Sequence, residues 1–414
     1  NLPILGTQYS SIDLAEDRER FKKLLDKLKL KQAKSGIAKS CDQAIKIAVK
    51  IGLPVMVRPS YVLGGRAMEI VHEKNQLKSF VKEAFKAAEN NPILIDKFIN
   101  NAMEVDVDAI SDGNEVFVAG IMQHIEEAGI HSGDSACCLP PISIKEKLIT
   151  EIKKQTKKLA LALKIKGFMN VQFAIKDDEI YVIEVNPRAS RTVPFVSKAK
   201  GIPLAKIASI IMAGGKISKF NLKNKGKNMF AVKEAVFPFN KFPNVDVLLG
   251  PEMKSTGEVM GLDEDFGLAF AKSQIAAGNS LPIEGLAFIS LKDKHKNEGI
   301  DLAKKLIELN FSLCGTPGTA NIIKKNGIKC KKINKVSEGS PNIVDTLNAK
   351  KIALVINTGG GKRTSRTQDS KYLRRATLIN KVPYCTNMST AYACLKGIKS
   401  LKSKKIKVRA IQDI

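Results

Sequence analysis

Gln172, Glu184 and Asn186 are the residues whose types and spacing point most directly to chemistry. Two extended segments, Asn170–Ile175 and Glu179–Val185, flank a Lys-Asp-Asp turn, the pattern of a β-hairpin. Alternation along a strand puts Glu184 and Asn186 on one face and Val185 on the other, with Gln172 across from them on the partner strand. One carboxylate and two amides, followed by Arg188 and Arg191, form a cradle for a hard cation that carries phosphates. Mg²⁺ suits it, because that ion takes one or two carboxylates and fills its remaining positions with phosphate oxygens. The alternative, a solvated hairpin with an acidic edge, leaves unexplained why Glu184 and Asn186 interrupt the Val/Ile face of their strand.

Two loops could serve the same chemistry. Arg58-Pro59-Ser60-Tyr61 leads into Val62-Leu63-Gly64-Gly65-Arg66, which sets an arginine at a strand end ahead of a glycine pair. Glycine lets backbone N–H groups approach phosphate oxygens, and the arginine supplies charge. No Gly-Lys-Ser/Thr follows, so this is not a Walker loop, and a Gly-Gly pair alone is usually only a turn. The second loop, Glu126 to Ser135, is dense in carboxylates and glycines and contains His131 and Ser132.

The elements that must position these residues can be read from periodicity. Helices are expected at Ala15–Leu28, Ser40–Ile51, Asn75–Asn90 and Ile144–Lys164. Strands are expected at Pro54–Arg58, Met68–His72, Ile93–Phe98, Met103–Ser111 and Glu115–Gln123, ahead of the hairpin. This mixture predicts an α+β domain of two lobes. Residues 216–228 are Lys/Asn-rich and read as a surface connector. Residues 229–279 hold the segments Phe230–Phe237, Asn240–Pro243 and Gly257–Gly261 and a helix at Phe266–Ala277. Gly278-Asn279-Ser280-Leu281-Pro282 is the clearest boundary signal. Beyond it strands at Leu286–Leu291, Ser312–Gly315, Lys331–Lys335 and Lys351–Thr358 alternate with helices at Asn297–Leu309 and Thr319–Lys325. Helices at Ser370–Ile379 and Thr390–Lys402 close a parallel-sheet α/β domain of Rossmann type.

Composition bounds the rest. The chain has 414 residues, a net charge of +27 and 44% hydrophobic content. Nucleic acid or an anionic membrane surface would fit that charge. Of 68 basic residues, however, only 11 are Arg, whereas specific phosphate and base recognition favours the Arg fork. The lysines lie along helix faces, as at Lys153, Lys154, Lys157 and Lys158 beside the apolar Ile149, Ile152, Leu159 and Leu163, which is a solvated face over a core stripe. No nucleic-acid partner is therefore expected. The longest aliphatic runs, such as Ile352–Ile356, are too short to span a membrane, and no signal peptide is expected. Seven cysteines without a Cys-x-x-Cys pair suit a reducing cytoplasm, and Cys137–Cys138 reads as buried packing. The opening Asn1-Leu-Pro-Ile-Leu-Gly reads as the end of a preceding element.

Several blocks in order carry a family resemblance: Ala15 to Phe21, Arg58 to Glu69, Glu104-Val-Asp-Val-Asp108, His131-Ser-Gly-Asp134-Ser, and Asn170-Val-Gln-Phe with Glu184-Val-Asn-Pro-Arg-Ala. Together they resemble the large subunit of carbamoyl phosphate synthetase, specifically its C-terminal half, across essentially the whole chain. The resemblance implies the end of a pre-ATP-grasp domain at 1–15, an ATP-grasp domain at 16–215, a connecting part at 216–279 and a methylglyoxal-synthase-like allosteric domain at 280–414. It implies ATP between two lobes, with Arg18 and Arg58 near the phosphates and Gly64 and Gly65 in a covering loop. Asp96–Ile99 would present backbone and an apolar contact to adenine, Glu104 would hold the ribose, and Gly129, Ile130, His131 and Ser132 would continue the site. Gln172, Glu184 and Asn186 would hold Mg²⁺ or Mn²⁺, with Arg188 and Arg191 near the transferring phosphoryl group.

In that family this half phosphorylates carbamate to carbamoyl phosphate. Its implied partners are a glutaminase subunit supplying ammonia and an N-terminal half supplying carbamate, in an oligomeric cytoplasmic enzyme. In the second domain Lys296, Lys335, Asn357 and Thr358 match positions that contact nucleotide effectors. Thr316-Pro-Gly-Thr319 opening a helix is also a sound phosphate site on physical grounds. Gly359-Gly360-Gly361 departs from relatives that carry a further hydroxyl there, which leaves the identity of the effector open. Glu126, Asp134, Glu234 and Thr386 match ornithine-binding positions of some relatives. The rival readings are another ATP-grasp ligase such as a biotin-carboxylase relative, a basic nucleic-acid-binding protein, and a catalytically silent regulatory subunit.

Overall fold

The computed structural model describes residues 4–413 apart from 60–64, 90, 223–228, 242–246 and 359–364. Gly64 and the Gly359–Gly361 run therefore lie outside the described residues, as do most of the Lys/Asn-rich connector and residues 242 and 243 of the Asn240–Pro243 segment. Two compact units divide the chain: Asn1–Asn228 with Leu249–Met253 and Arg409–Ile414, and Met229–Leu248 with Lys254–Val408. The Gly278–Pro282 punctuation lies inside the second.

The first unit starts with α1 (Tyr9–Glu16) and α2 (Arg18–Lys27), where one helix over Ala15–Leu28 was expected. Asp17 breaks it. Its backbone is extended and its carboxylate accepts the Arg20 N–H at 2.9 Å, so it caps α2 and sets Arg18 at the first helical position. Asp17→Ala should lower the unfolding free energy by about 1 kcal/mol in a urea titration; an unchanged midpoint would show that the cap is idle.

Next come β1 (Ser35–Ala38), α3 (Cys41–Ile51), β2 (Val55–Pro59), β3 (Glu69–Val71), α4 (Lys74–Ala87) and β4 (Ile93–Lys97). The strands form an antiparallel sheet in the order β1-β4-β2-β3. Val55, Val57, Leu77, Val81, Ile93 and Ile95 share the core beneath α3 and α4, so alternation turns Arg58 and Asp96 to the other face.

The larger lobe holds β5 (Met103–Asp112), β6 (Val116–Glu127), β7 (Cys137–Leu139), α5 (Glu146–Ala162), β8 (Lys166–Lys176), β9 (Glu179–Asn186), α6 (Val193–Lys200) and α7 (Leu204–Met212). Its strands run β7-β6-β5-β8-β9, all antiparallel. Val105, Val107, Val171, Phe173, Val182 and Val185 pack with α2 and α5 residues on one side. The other side carries the polar residues of β5, β8 and β9.

The second unit pairs β10 (Phe230–Val236) with β11 (Gly257–Asp263), followed by α8 (Phe266–Ala276). Asn240, expected in an extended segment, falls in a short 3₁₀ turn, Phe239–Lys241. Then come β12 (Gly285–Ser290), α9 (Lys296–Glu308), β13 (Phe311–Gly315), α10 (Pro317–Lys325), β14 (Lys331–Lys332), α11 (Ile343–Asn348), β15 (Leu354–Asn357), α12 (Ser365–Ile379), β16 (Tyr384–Cys385) and α13 (Met388–Ser403). The sheet is parallel in the order β14-β13-β12-β15-β16, as alternating strands and helices demand. The strand expected over Lys331–Lys335 stops at Lys332, and the helix expected from Ser370 starts at Ser365.

Candidate active site

β8 and β9 bring Gln172 opposite Glu184 and Asn170 opposite Asn186. The register slips between Phe173↔Val182 and Gln172↔Glu184, leaving Ile183 as an extra residue. This bulge explains the interrupted apolar face. Ile180 and Val182 point into the core, the bulge resets the alternation, and Val185 points inward while Glu184 and Asn186 turn to the polar side.

The side chains converge. Asn186 Nδ2 donates to Glu184 Oε1 at 3.0 Å, which fixes the amide and leaves its Oδ1 to accept Arg188 Nη2 at 3.1 Å. Gln172 Nε2 donates to Ser132 Oγ at 3.1 Å, so Oε1 is the atom it offers a cation. One carboxylate and two amide oxygens fit a hard divalent ion completed by phosphate oxygens. No group of three His, Cys, Asp or Glu side chains is placed to hold a metal among the described residues.

Arg58 links the lobes. Its guanidinium lies 3.3 Å from Asp96 Oδ2 and 3.5 Å from Glu184 Oε2. Arg18 shares this field: burial, then Arg58, push its pKa down, while Asp96 and Glu184 pull it up. Two arginines and two carboxylates thus meet at the end of β9, a balance that a polyphosphate would tip. Gly65 adopts φ +72°, and a Cβ there would stand 2.1 Å from the Pro251 carbonyl oxygen, so only glycine fits. Gly129, at φ +107°, packs against Ile70 and the Phe98 ring, which brings the 126–135 loop to the strand end that carries Ile99. His131 N–H donates to Gly250 O at 2.8 Å, and Gly133 N–H donates to His131 Nδ1 at 3.0 Å, so the neutral ring carries its proton on Nε2. Burial holds His131 below its ordinary pKa. Arg188 also donates to Ala189 O, and Arg191 contacts the Met253 sulfur.

Glu104 is buried on β5 and accepts the Gly129 N–H; desolvation pushes its carboxyl up to about 7. Asp106 and Asp108 share its face, opposite Gln172 and Asn170 across β8. Asp106 Oδ2 lies 3.2 Å from His124 Nε2, and both are buried. Asp106, Asp108, His124 and Asn170 were not singled out from sequence as site residues. The signal was present: Glu104-Val-Asp-Val-Asp108 alternates, and a strand buried on both faces has no solvent to accept its carboxylates.

In the second unit the effector candidates gather at the carboxyl ends of parallel strands, where ligands of such sheets sit. Thr316 follows β13 at the start of α10, its Oγ1 3.4 Å from Ser290 Oγ and 3.3 Å from Thr319 Oγ1. Thr319 and Thr358 hydroxyls accept the Leu291 and Lys292 N–H groups at 3.0 and 3.1 Å. A Cβ on Gly318 would be 3.5 Å from Lys296 Nζ, so that ammonium stands beside the helix N-terminus. Asn357 Nδ2 donates to Tyr384 OH at 3.2 Å, and Lys335 pairs with Glu338 at 3.4 Å. The ornithine candidates divide: Glu126 and Asp134 belong to the first unit, Glu234 and Thr386 to the second. Glu126 accepts Ser135 Oγ at 2.7 Å and the Ala136 N–H at 2.8 Å, and Glu234 accepts Gln274 Nε2 at 2.6 Å.

The carbamoyl-phosphate synthase L chain ATP-binding domain profile matches residues 17–220, and the MGS-like domain profile matches residues 298–386. Over 433 residues the chain is 50% identical to the carbamoyl phosphate synthase large chain, C-terminal section, of Aquifex aeolicus, covering 99% of this chain and 80% of that one. The chain belongs to the carbamoyl phosphate synthase large-chain family. It is 53% identical to the large chain of Archaeoglobus fulgidus, covering 99% of this chain but 38% of that one. It thus spans well under half of that full-length large chain. A biotin carboxylase from Campylobacter jejuni shares its fold with this chain at TM-score 0.54 and 19% identity, over 66% of this chain and 68% of that one. In this large-chain family member no helix of the described residues is long and apolar enough to cross a membrane.

Proposed function

We propose that the chain phosphorylates carbamate to carbamoyl phosphate with Mg²⁺ or Mn²⁺ and ATP, as the C-terminal synthetic half of a glutamine-hydrolysing carbamoyl phosphate synthase. The observation that carries this reading is the convergence of Gln172, Glu184 and Asn186 with Arg58 between the lobes. A bound cation would neutralise phosphate charge in this cradle, held by those three residues. Arg18 and Arg58 orient the phosphate tail, Glu104 accepts a ribose hydroxyl, and the 126–135 loop with Ile99 encloses the base. Arg188 and Arg191 sit past the ligand strand, where they meet the carbamate and the phosphoryl group in transfer. Phosphoryl transfer asks for placement and charge stabilisation rather than a protein nucleophile, and that is what these residues offer. The MGS-like domain favours this reading over a biotin-carboxylase relative.

A glutaminase subunit would supply ammonia and an N-terminal half of the large chain would supply carbamate. The assembly would be cytoplasmic and oligomeric, in keeping with seven cysteines that include no Cys-x-x-Cys pair. Nucleotides, and ornithine, would act as effectors.

The reaction can be run backwards. Incubated with Mg²⁺, ADP and carbamoyl phosphate, the chain should form ATP; no ATP formation by a folded chain overturns the proposal. Thr316→Ala should blunt the response of that assay to added nucleotides while the basal rate stays within about twofold, since the hydroxyl faces an effector phosphate rather than the reaction. A basal rate that falls as far as the regulated one would contradict a purely regulatory role.

A further inference from the structure

The six residues between β9 and α6, numbers 187–192, carry both arginines of the candidate active site and have no strand or helix of their own. Something must hold them in register with the ligand strand. We propose that Asp108 is the positioning residue that locks this loop to the Gln172/Glu184/Asn186 face, and so sets where Arg188 and Arg191 stand. The inference rests on the phosphoryl-transfer reading for its consequences, but its geometry does not.

Asp108 is 1% exposed. Its Oδ1 accepts Asn170 Nδ2 at 3.0 Å and Ser190 Oγ at 2.7 Å, and its Oδ2 accepts Thr192 Oγ1 at 2.6 Å. The two hydroxyls also meet each other at 2.8 Å. Asn170 stands across β8 and β9 from Asn186, whose Nδ2 lies 3.5 Å from Asn170 Oδ1. One buried carboxylate therefore joins the strand partner of the proposed ligand Asn186 to the residues on either side of Arg191.

Two details show that this is more than packing. Thr192 is the N-cap residue of α6, yet its side chain makes no capping bond. A threonine there ordinarily stabilises its own helix, and here the hydroxyl serves Asp108 instead. All three donors to Asp108 are neutral although two arginines flank them in sequence, so neither guanidinium is drawn inward and both charges stay available at the surface of the site. Charge-assisted bonds to a desolvated carboxylate are short and directional, which suits a group that must fix a loop. Burial raises the Asp108 carboxyl to about 6, so it remains ionised at neutral pH.

Asp108→Asn keeps the shape but replaces one acceptor oxygen by a donor. In ATP synthesis from ADP and carbamoyl phosphate it should lower kcat by about a hundredfold, the cost of misplacing a catalytic group by roughly 1 Å, with KM for ADP changed by less than about threefold. Thr192→Val should lower kcat in the same sense, Thr192→Ser should restore it, and the double variant Asp108→Asn/Thr192→Val should be no worse than the poorer single one. Hydrogen exchange supplies a readout independent of activity: amides of residues 187–196 should exchange faster in both Asp108→Asn and Thr192→Val, with those of β5 and β8 unchanged. If the wild type makes no ATP, the functional proposal fails, and exchange alone decides the locking role. Unaltered exchange in residues 187–196, or a kcat within about twofold of wild type in both single variants, overturns the positioning role. A parallel loss in kcat and KM for ADP with general deprotection would make Asp108 merely structural and overturn it equally.

Discussion

Glu184→Gln should cut the rate of ATP formation from ADP and carbamoyl phosphate by about 10²–10³-fold while leaving the fold intact. The substitution preserves volume and keeps an oxygen that can accept the Asn186 amide, 3.0 Å away. What it removes is the only carboxylate among the three proposed ligands, and with it the charge that faces Arg58 at 3.5 Å. Arg58 would then turn wholly to Asp96, which already lies at 3.3 Å. The effect should fall mainly on kcat, because the nucleotide keeps Arg18, Glu104 and the 126–135 loop. Raising Mg²⁺ or Mn²⁺ should recover part of the rate. A variant with wild-type turnover, or one whose loss tracks a fallen melting temperature, would contradict the ligand role.

The second large effect concerns stability and pH. Burial raises the Glu104 carboxyl from the ordinary value of 4.5 to about 7. Between those values the folded chain retains a proton that the unfolded chain has released, so stability falls as pH rises through this window. Above pH 7 the folded state carries a buried charge at a cost on the order of 3 kcal/mol. Glu104→Gln has no proton to lose. It should therefore match wild type near pH 4.5 and exceed it by up to about 3 kcal/mol at pH 8 in urea unfolding. The same variant should raise KM for ADP, since an amide is a poorer acceptor for a ribose hydroxyl than a carboxylate. Parallel stability curves across that pH range would show that Glu104 ionises without penalty.

Much of the site was legible because side-chain chemistry survives errors in element boundaries. Gln172, Glu184 and Asn186 were found from strand alternation, and the structure brings them together. The apolar face appeared interrupted only because the extra residue Ile183 was not seen, and a bulge leaves no mark in a run of Ile, Tyr and Val. Asp17 was absorbed into a helix although aspartate is a preferred N-cap residue. Short strands such as β1, β7 and β16 owe their form to partners elsewhere in the chain, and their two to four residues carry no period of their own. Helices α6, α7 and α11 were also missed; the first two follow the arginine loop directly and the third is only six residues long. Asp106, Asp108 and His124 were passed over because their burial cannot be read from the sequence of one strand. Here β5 lies between β6 and β8 and is buried on both faces, and burial turns ordinary carboxylates into hydrogen-bond anchors.

The most direct measurement is Mn²⁺ binding followed by electron paramagnetic resonance, with and without a non-hydrolysable ATP analogue, in wild type and in Glu184→Gln. Wild type should bind Mn²⁺ weakly alone and at least about tenfold more tightly with the nucleotide, because phosphate oxygens complete the coordination. Glu184→Gln should lose most of that gain. Equal Mn²⁺ affinity in the two proteins with nucleotide present would contradict a cation gripped between Gln172, Glu184 and Asn186 and the phosphate tail.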